Sequence, residues 1–125
     1  YSPADALRQF TGRYVTTLYP PGADFGTIKW RLDRGAAAVA YSYRASTHTA
    51  NSSGIMGDVS YVVRRLFTDS TGKRWVELSN PLGTDCGDGT LLDKAPGAVR
   101  QNDGIVTLSW DDFRRSSNFT YLYIA

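Results

Sequence analysis

The stretch VSYVVRRLFTDSTGKRWVEL, residues 59–78, contains two runs of β-branched and aromatic residues separated by a polar turn. Such residues fit a pleated surface, so residues 59–67 and 74–78 favour strands. Asp-Ser-Thr-Gly at 69–72 supplies the small polar residues and the glycine that are typical of turns. The stretch therefore predicts a β-hairpin.

Two helices are predicted before this hairpin. Residues 2–12 begin with Ser-Pro-Ala-Asp, which suits a helix start, and end at Gly12, which suits a helix stop. Asp24 can cap a second helix that ends at Gly35. The other elements expected before the hairpin are two strands, at residues 13–19 and 36–43, and a polar loop at residues 46–54.

A long irregular segment follows the hairpin. Residues 80–104 contain two prolines and five glycines, and show little periodicity. Structureless loops of this length are uncommon in compact domains and are often functional. A short strand, a helical turn and a closing strand are then predicted at residues 105–108, 110–113 and 119–124. The fold class that results is α+β, with an antiparallel sheet or half-barrel and two or three short helices.

Length and composition fit a single domain, residues 1–125. The net charge is only +2, so nothing favours nucleic acid or a membrane surface as the partner, and no apolar run is long enough to span a membrane. Cys86 is the only cysteine, which excludes an internal disulfide and favours an intracellular, cytoplasmic location. Because the chain starts with Tyr1 and not Met, we interpret it as part of a longer polypeptide.

Four segments resemble, in the same order, segments of the calpain family of cysteine proteases. Residues 2–12 resemble its Ala-Leu helix ending in Leu-Thr-Gly-Gly, and Arg-Gly-Ala at 34–36 resembles the Arg-Gly-Ser after its next helix. KRWVELSNPLG, residues 73–83, resembles the strand that leads into Arg-Asn-Pro-Trp-Gly. DGIVTLSWDDF, residues 103–113, resembles Asp-Gly-Glu-Phe-Trp-Met-Ser-Phe-x-Asp-Phe. The resemblance covers nearly the whole chain and implies the second subdomain of the calpain protease core.

The resemblance implies a papain-like mechanism. In that mechanism a cysteine thiolate attacks the peptide carbonyl, a histidine transfers the proton, and an asparagine orients the histidine. The cysteine would lie upstream, in the first subdomain, whereas the histidine and the asparagine belong to this half. Asn80 matches the orienting asparagine. Asp58 stands in place of the expected histidine, and Leu82 replaces the tryptophan that shields the histidine–asparagine pair.

Asp58 is a poor substitute, because a carboxylate cannot become the cation that stabilises a thiolate and protonates the leaving amine. The leading hypothesis is a catalytically inactive half of a calpain-like domain, a pseudoprotease that serves as a regulatory or peptide- or protein-binding module. Its partners would be the upstream protease subdomain of the same parent chain and an extended peptide or protein ligand. Two alternatives remain: part of an active calpain-like cysteine endopeptidase whose nucleophile lies upstream, and a structural packing domain.

Other chemistry-bearing residues have simpler explanations. His48, the only histidine, is interpreted as a solvated loop residue and not as a displaced catalytic base. Cys86 follows Asn80, against the chain order of the family, and is interpreted as non-catalytic. The tryptophans are expected to be buried or half-buried side chains of helices and strands: Trp30, Trp75 and Trp110.

The long segment raises the question of calcium, since it contains Asp85, Asp88, Asp93 and Asp103, and calcium prefers oxygen ligands. Calcium-dependent members of the calpain family bind one ion in this subdomain. Asp103 is kept at one family position, but Ile105 stands where a glutamate would be. An acidic loop without an ion explains these residues as well, so we expect no cofactor and keep calcium as the alternative.

Overall fold

The hairpin at residues 59–78 forms two neighbouring strands of one sheet in a computed structural model of the chain. The structure describes residues 3–45, 49–86 and 91–125. Within these ranges it contains three α-helices, one 3-10 turn and a sheet of six strands, and all neighbouring strands are antiparallel. The prediction of an α+β fold with an antiparallel sheet is confirmed.

The element bounds agree with the sequence pattern to within a few residues, with one exception. The helices are α1 (Pro3–Thr11), α2 (Phe25–Asp33) and α3 (Trp110–Phe113). The strands are β1 (Thr16–Leu18), β2 (Ala38–Ser42), β3 (Ser60–Thr68), β4 (Arg74–Ser79), β5 (Ile105–Ser109) and β6 (Phe119–Ile124). A 3-10 turn at Pro20–Gly22 separates β1 from α2. The exception is β1, which is shorter than the strand expected at residues 13–19. No helix among the described residues is long and apolar enough to cross a membrane.

Local signals set both ends of α2, as the sequence predicted. The Asp24 carboxylate accepts a hydrogen bond from the Thr27 N–H at 2.8 Å and caps the helix. Hydrogen bonds from the Thr27 hydroxyl and N–H lower the pKa of Asp24. Gly35 has a φ of 91°, a left-handed conformation that favours glycine and ends the helix. The cap expected at Ser2 for α1 lies outside the described residues.

The strand order in the sheet is β1-β6-β2-β3-β4-β5. Strands β2 to β5 form a meander, whereas β6 inserts between β1 and β2 and pairs with both. The sheet is open, with β1 and β5 at its edges. Part of the long segment covers the β5 edge: the Thr107 N–H donates to the Leu92 carbonyl at 3.0 Å, and the Lys94 N–H donates to the Thr107 carbonyl at 3.2 Å.

Alternation along the strands separates a buried face of the sheet from a half-buried one. On β2, Ala38 and Ala40 are buried, whereas Val39 and Tyr41 are partly exposed. The buried face packs against α2 and forms the main core. The other face is partly covered by α1, whose Leu7 is buried. Full burial of a large apolar side chain contributes roughly 1.5–3 kcal/mol, so the core face dominates stability.

The expectation that Trp30 is buried or half-buried is wrong, because this side chain is 57% exposed. Trp30 lies two positions after the buried Ile28, and two positions on a helix are about 200° apart around its axis. The indole therefore points away from the sheet, where the Arg34 guanidinium lies 3.9 Å from its ring centre. Trp75 and Trp110 are buried, as expected.

Candidate functional site

Asn80, the predicted orienting residue, lies directly after β4 and is 2% exposed. Its backbone N–H donates to the Gly104 carbonyl at 2.7 Å, which ties the end of β4 to the start of β5. Its side-chain oxygen accepts from the Leu82 N–H at 2.9 Å. Its side-chain nitrogen lies 3.4 Å from the Met56 sulfur. The amide thus holds a turn and contacts the segment that precedes β3.

Asp58 lies two residues before β3 in a strained backbone conformation, with a φ of 56° that is uncommon outside glycine. Its N–H donates to the Tyr43 carbonyl at 2.8 Å. Its exposed carboxylate accepts a hydrogen bond from the Tyr41 hydroxyl. The preceding Gly57 is tightly packed, since a Cβ there would lie 2.6 Å from the Ala45 Cβ and from the Tyr43 ring. A hydrogen bond and close packing therefore fix the backbone on both sides of the Gly57–Asp58 peptide bond.

One buried tyrosine, Tyr61, and one partly buried tyrosine, Tyr43, hold the segment before Asp58. The Tyr61 hydroxyl accepts from the Met56 N–H at 3.1 Å, and burial raises the pKa of Tyr61 to about 12. The Tyr43 hydroxyl donates to the Ile55 carbonyl at 2.7 Å, and burial likewise raises the pKa of Tyr43. Both phenols are neutral at physiological pH, so they act as hydrogen-bonding supports and not as acids or bases.

The structure brings the segments of Asp58 and Asn80 close together but does not join their side chains. Asn80 contacts Met56, which is two residues before Asp58. Within the described part of the chain, no hydrogen bond links the Asp58 carboxylate to the Asn80 amide. Leu82, at the position of the expected tryptophan, is 49% exposed. The assignment of Asp58 and Asn80 to a former catalytic site stays a prediction.

A cavity of about 720 Å³ opens beside Asp58. Its lining comprises Tyr41, Arg44, Ala45, Asp58, Thr120 and Tyr121. Arg44 forms no salt bridge with any described residue, although it shares this cavity with a carboxylate. One cavity therefore offers a cation, an anion and two aromatic rings, a combination that suits binding of a polar ligand.

An apolar groove of about 600 Å³ adjoins this cavity between α1 and the half-buried face of the sheet. Tyr41 lines both, so the two form one continuous surface. Phe10 on the α1 side is 90% exposed, and Val62 on β3 is 47% exposed. Such adjoining exposed apolar side chains mark surfaces that bind other protein segments.

The aspartates of the long segment form a cluster in which Asp85, Asp93 and Asp103 bring one carboxylate oxygen each within 4.8 Å of the others. Asp85 is fully buried. Its two oxygens accept from the Gly104 and Leu92 N–H groups, both at 3.0 Å. Asp85 therefore fastens two distant parts of the segment to each other.

The same cluster has a geometry that one cation could share, because calcium–oxygen distances are about 2.3–2.6 Å. Hydrogen bonds within the segment use the same oxygens, including one from the Gln101 N–H to Asp93 at 3.0 Å. Burial, with the nearby Asp85 carboxylate acting in the same direction, raises the pKa of Asp93. Asp88 lies outside the described residues. Calcium stays an untested alternative to a purely structural cluster.

Cys86 is 1% exposed, so its sulfur is closed off from solvent. A catalytic thiolate must reach its substrate, which agrees with the interpretation of Cys86 as non-catalytic. His48 lies outside the described residues.

Sequence reasoning did not single out three residues of the cavity beside Asp58, namely Arg44, Tyr41 and Tyr121. One signal was available: along residues 121–124, tyrosines alternate with aliphatic residues, which predicts tyrosines on one face of β6. The pairing of Tyr121 with Tyr41 could not be predicted from the sequence, because it joins two strands, β6 and β2, that are far apart in the chain.

A comparison with models of protein families gives no match, and a search of curated proteins gives none either. The likeness to calpains therefore rests on the four sequence segments described above.

Proposed function

We propose that this chain is the second subdomain of a calpain-like protease core that has lost catalysis and binds an extended segment of another protein. The observation that carries the proposal is the position of Asp58. This residue takes the place of the expected histidine, and its carboxylate lies in a cavity with Arg44 and two tyrosines. At this position, groups that can bind a ligand take the place of the imidazole that peptide hydrolysis would need.

The hydrogen bonds of the two predicted site residues support the loss of catalysis. The Asp58 carboxylate accepts from the Tyr41 hydroxyl, and a carboxylate cannot form the imidazolium-like cation of a thiolate pair. The side-chain oxygen of Asn80 accepts from the Leu82 N–H in place of an imidazole N–H. Neither residue is arranged to assist a thiol nucleophile from another subdomain.

The surface around Asp58 supports binding of an extended peptide. Arg44 can donate hydrogen bonds to carbonyl and carboxylate oxygens of a peptide, and Asp58 can accept hydrogen bonds from its N–H and hydroxyl groups. The rings of Tyr41 and Tyr121 offer flat apolar contact area next to those charges. The adjoining groove under α1 supports a further contact with an apolar protein surface, which would be the upstream subdomain. The same groove favours the second candidate, a structural packing domain.

Peptide hydrolysis tests the loss of catalysis. The parent protein, with any upstream subdomain present, is expected not to cleave fluorogenic calpain-type peptides. Asp58→His is the informative variant, and Asp58→Asn is its matched control because it removes the charge without adding an imidazole. Hydrolysis by the wild-type protein, whether or not it persists in Asp58→Asn, would overturn the proposal and favour an active endopeptidase.

Peptide capture tests the binding role. A displayed library of extended peptides is expected to yield ligands whose affinity falls about tenfold in Arg44→Ala or Tyr121→Ala, a loss of about 1.4 kcal/mol. Arg100→Ala removes an exposed charge that does not line this cavity, and it should leave affinity unchanged. If no peptide is captured, or if all three variants bind equally, the packing-domain alternative is favoured.

A further inference from the structure

Five basic side chains line two adjoining cavities formed by the β3–β4 turn, β5, α3 and the long segment. The cavities measure about 270 Å³ and 470 Å³ and share Lys73 and Ser109. We call their basic residues the basic surface: Lys73, Arg74, Lys94, Arg114 and Arg115. The lining contains two carboxylates, Asp111 and Asp112, so the surface carries a local excess of positive charge. It shares no residue with the cavity beside Asp58.

Few salt bridges offset the positive charge of the basic surface. Among the described residues, Arg115 alone of the five forms a salt bridge, with Asp112 at 3.4 Å. That pair is exposed, and exposed pairs bind weakly. In a chain whose net charge is only +2, this concentration of cations marks one particular region of the surface, and beyond the Arg115 pair the Arg74 charge interacts with the Asp24 carboxylate.

Two of the cations are held in position by aromatic rings. The Lys73 amine lies 4.6 Å from the centre of the Trp75 ring, and the Arg74 guanidinium lies 5.0 Å from the centre of the Phe25 ring. A cation–π contact restricts the side chain but leaves its charge uncancelled. A ligand that binds here therefore meets cations that are already placed, at a lower cost in side-chain entropy.

Arg114 provides a second, independent observation. One of its terminal nitrogens donates to the Pro21 carbonyl at 2.6 Å. Its Nε is enclosed and has no hydrogen-bond partner in the described structure. Enclosed N–H groups of folded proteins almost always have an acceptor, and an exception calls for a water or ion. Arg114 also lines the smaller cavity, so its charge lies at the wall of that cavity while its Nε stays enclosed.

We propose that the basic surface binds an acidic segment of a partner protein, with one carboxylate side chain in each cavity. In an extended peptide, side chains two positions apart lie on the same face, so one acidic segment can present two carboxylates to this surface. A single-stranded nucleic acid is a poorer fit, because its bases need exposed aromatic rings to stack on. The aromatic rings of this lining, Trp75 and Trp110, are only 5% and 4% exposed.

Fluorescence anisotropy of a labelled oligoglutamate peptide with the 125-residue chain tests this proposal. The double substitution Lys73→Gln/Lys94→Gln is expected to weaken binding about tenfold, since two ion pairs are lost at a partly exposed site. Arg13→Gln/Arg100→Gln removes the same charge from residues outside the basic surface and should change binding less than about twofold by the same arithmetic. Arg114 is left intact because its partial burial could make a variant unfold.

Three results would overturn the proposal. The first is equal weakening in both double variants, which would mean a response to net charge alone. The second is tighter binding of a labelled oligouridylate than of oligoglutamate at the same salt concentration. The third is complete displacement of oligoglutamate by inorganic phosphate at constant ionic strength, which would indicate a simple anion site. Equal melting temperatures of the two variants would show that both remain folded.

Discussion

Asp69 organises the turn between β3 and β4 through both oxygens of one carboxylate. Its Oδ1 accepts from the Thr71 and Lys73 N–H groups at 2.9 and 3.0 Å, and its Oδ2 accepts from the Trp75 indole at 2.9 Å. Hydrogen bonds from the Thr71 hydroxyl and the Trp75 indole are the main causes that lower the pKa of Asp69 to about 2. The folded state therefore stabilises the ionised carboxylate of Asp69 more than the unfolded chain does.

Asp69→Asn tests this stabilisation by its pH dependence. A lowered folded pKa gives stability that is present above the unfolded value of 3.8 and is lost as pH falls toward about 2. We expect the wild type to melt at a higher temperature than Asp69→Asn at neutral pH, and the difference to shrink between about pH 4 and pH 2. The control is Asp111→Asn, an exposed aspartate. A difference for Asp69→Asn that is unchanged at about pH 2 would contradict the explanation.

At the scale of elements, the long segment between β4 and β5 is ordered by its own side chains as well as by the sheet. Asp85 accepts hydrogen bonds from Leu92 and Gly104. Gly104 packs closely, since a Cβ there would lie 3.0 Å from the Asn80 carbonyl oxygen. The sequence predicts an irregular loop here, but in the part of this segment that the structure describes, hydrogen bonds and close packing hold the backbone at several points.

Asp85→Asn is expected to destabilise the protein by about 1–3 kcal/mol, because one buried acceptor becomes a donor that faces a backbone N–H. Urea unfolding followed by tryptophan fluorescence measures this loss. Asp103→Asn is a suitable comparison, since Asp103 is exposed and accepts from the Ile105 N–H at 3.0 Å. Equal stability of the two variants would show that Asp85 does not fasten the segment.

Calcium is expected to leave the melting temperature unchanged, because the Asp85–Asp93–Asp103 oxygens already accept backbone hydrogen bonds. Thermal unfolding with and without calcium measures the melting temperature, and isothermal titration calorimetry measures calcium binding itself. Binding tighter than about 100 μM, outside the weak range of extracellular calcium modules, would contradict it and identify the cluster as a metal site.

The elements that the sequence predicted well are those set by local signals. The cap at Asp24, the stop at Gly35 and the turn after β3 each depend on residues a few positions apart. The short β1 depends on its tertiary pairing with β6, which no local pattern reports, whereas the exposed Trp30 follows from the helical spacing that places Ile28 in the core. The candidate site divides in the same way: Asp58 and Asn80 follow from a motif, whereas the cavity beside Asp58 forms only when β6 pairs with β2.

For the whole molecule, β6 is the strand that joins the first part of the chain to the rest of the sheet. Leu122 is fully buried and pairs with Leu18 on one side and Ala40 on the other. Among the described strands, β1 pairs with β6 alone. The stability of β1 therefore depends on β6.

Leu122→Ala is expected to cost about 2–5 kcal/mol, the range for removing a large aliphatic side chain from a core. Amide hydrogen exchange should increase in both β1 and β2, because both lose a packing partner. Thr120→Ala, at a half-buried position of the same strand, should leave the exchange of β1 unchanged. Faster exchange confined to β2 would show that β1 is held by other contacts.

The position of β6 also has a consequence for synthesis on the ribosome. Thr16 pairs with Ile124, so β1 emerges from the exit tunnel long before its partner strand is translated. At about 5–20 residues per second, the nascent chain waits several seconds for that strand. Until then β1 lacks its only strand partner in the described sheet, and neighbouring core residues are open to chaperones. A ribosome stalled before Phe119 would therefore present a chain that has its hairpin but lacks the strand that joins β1 to β2.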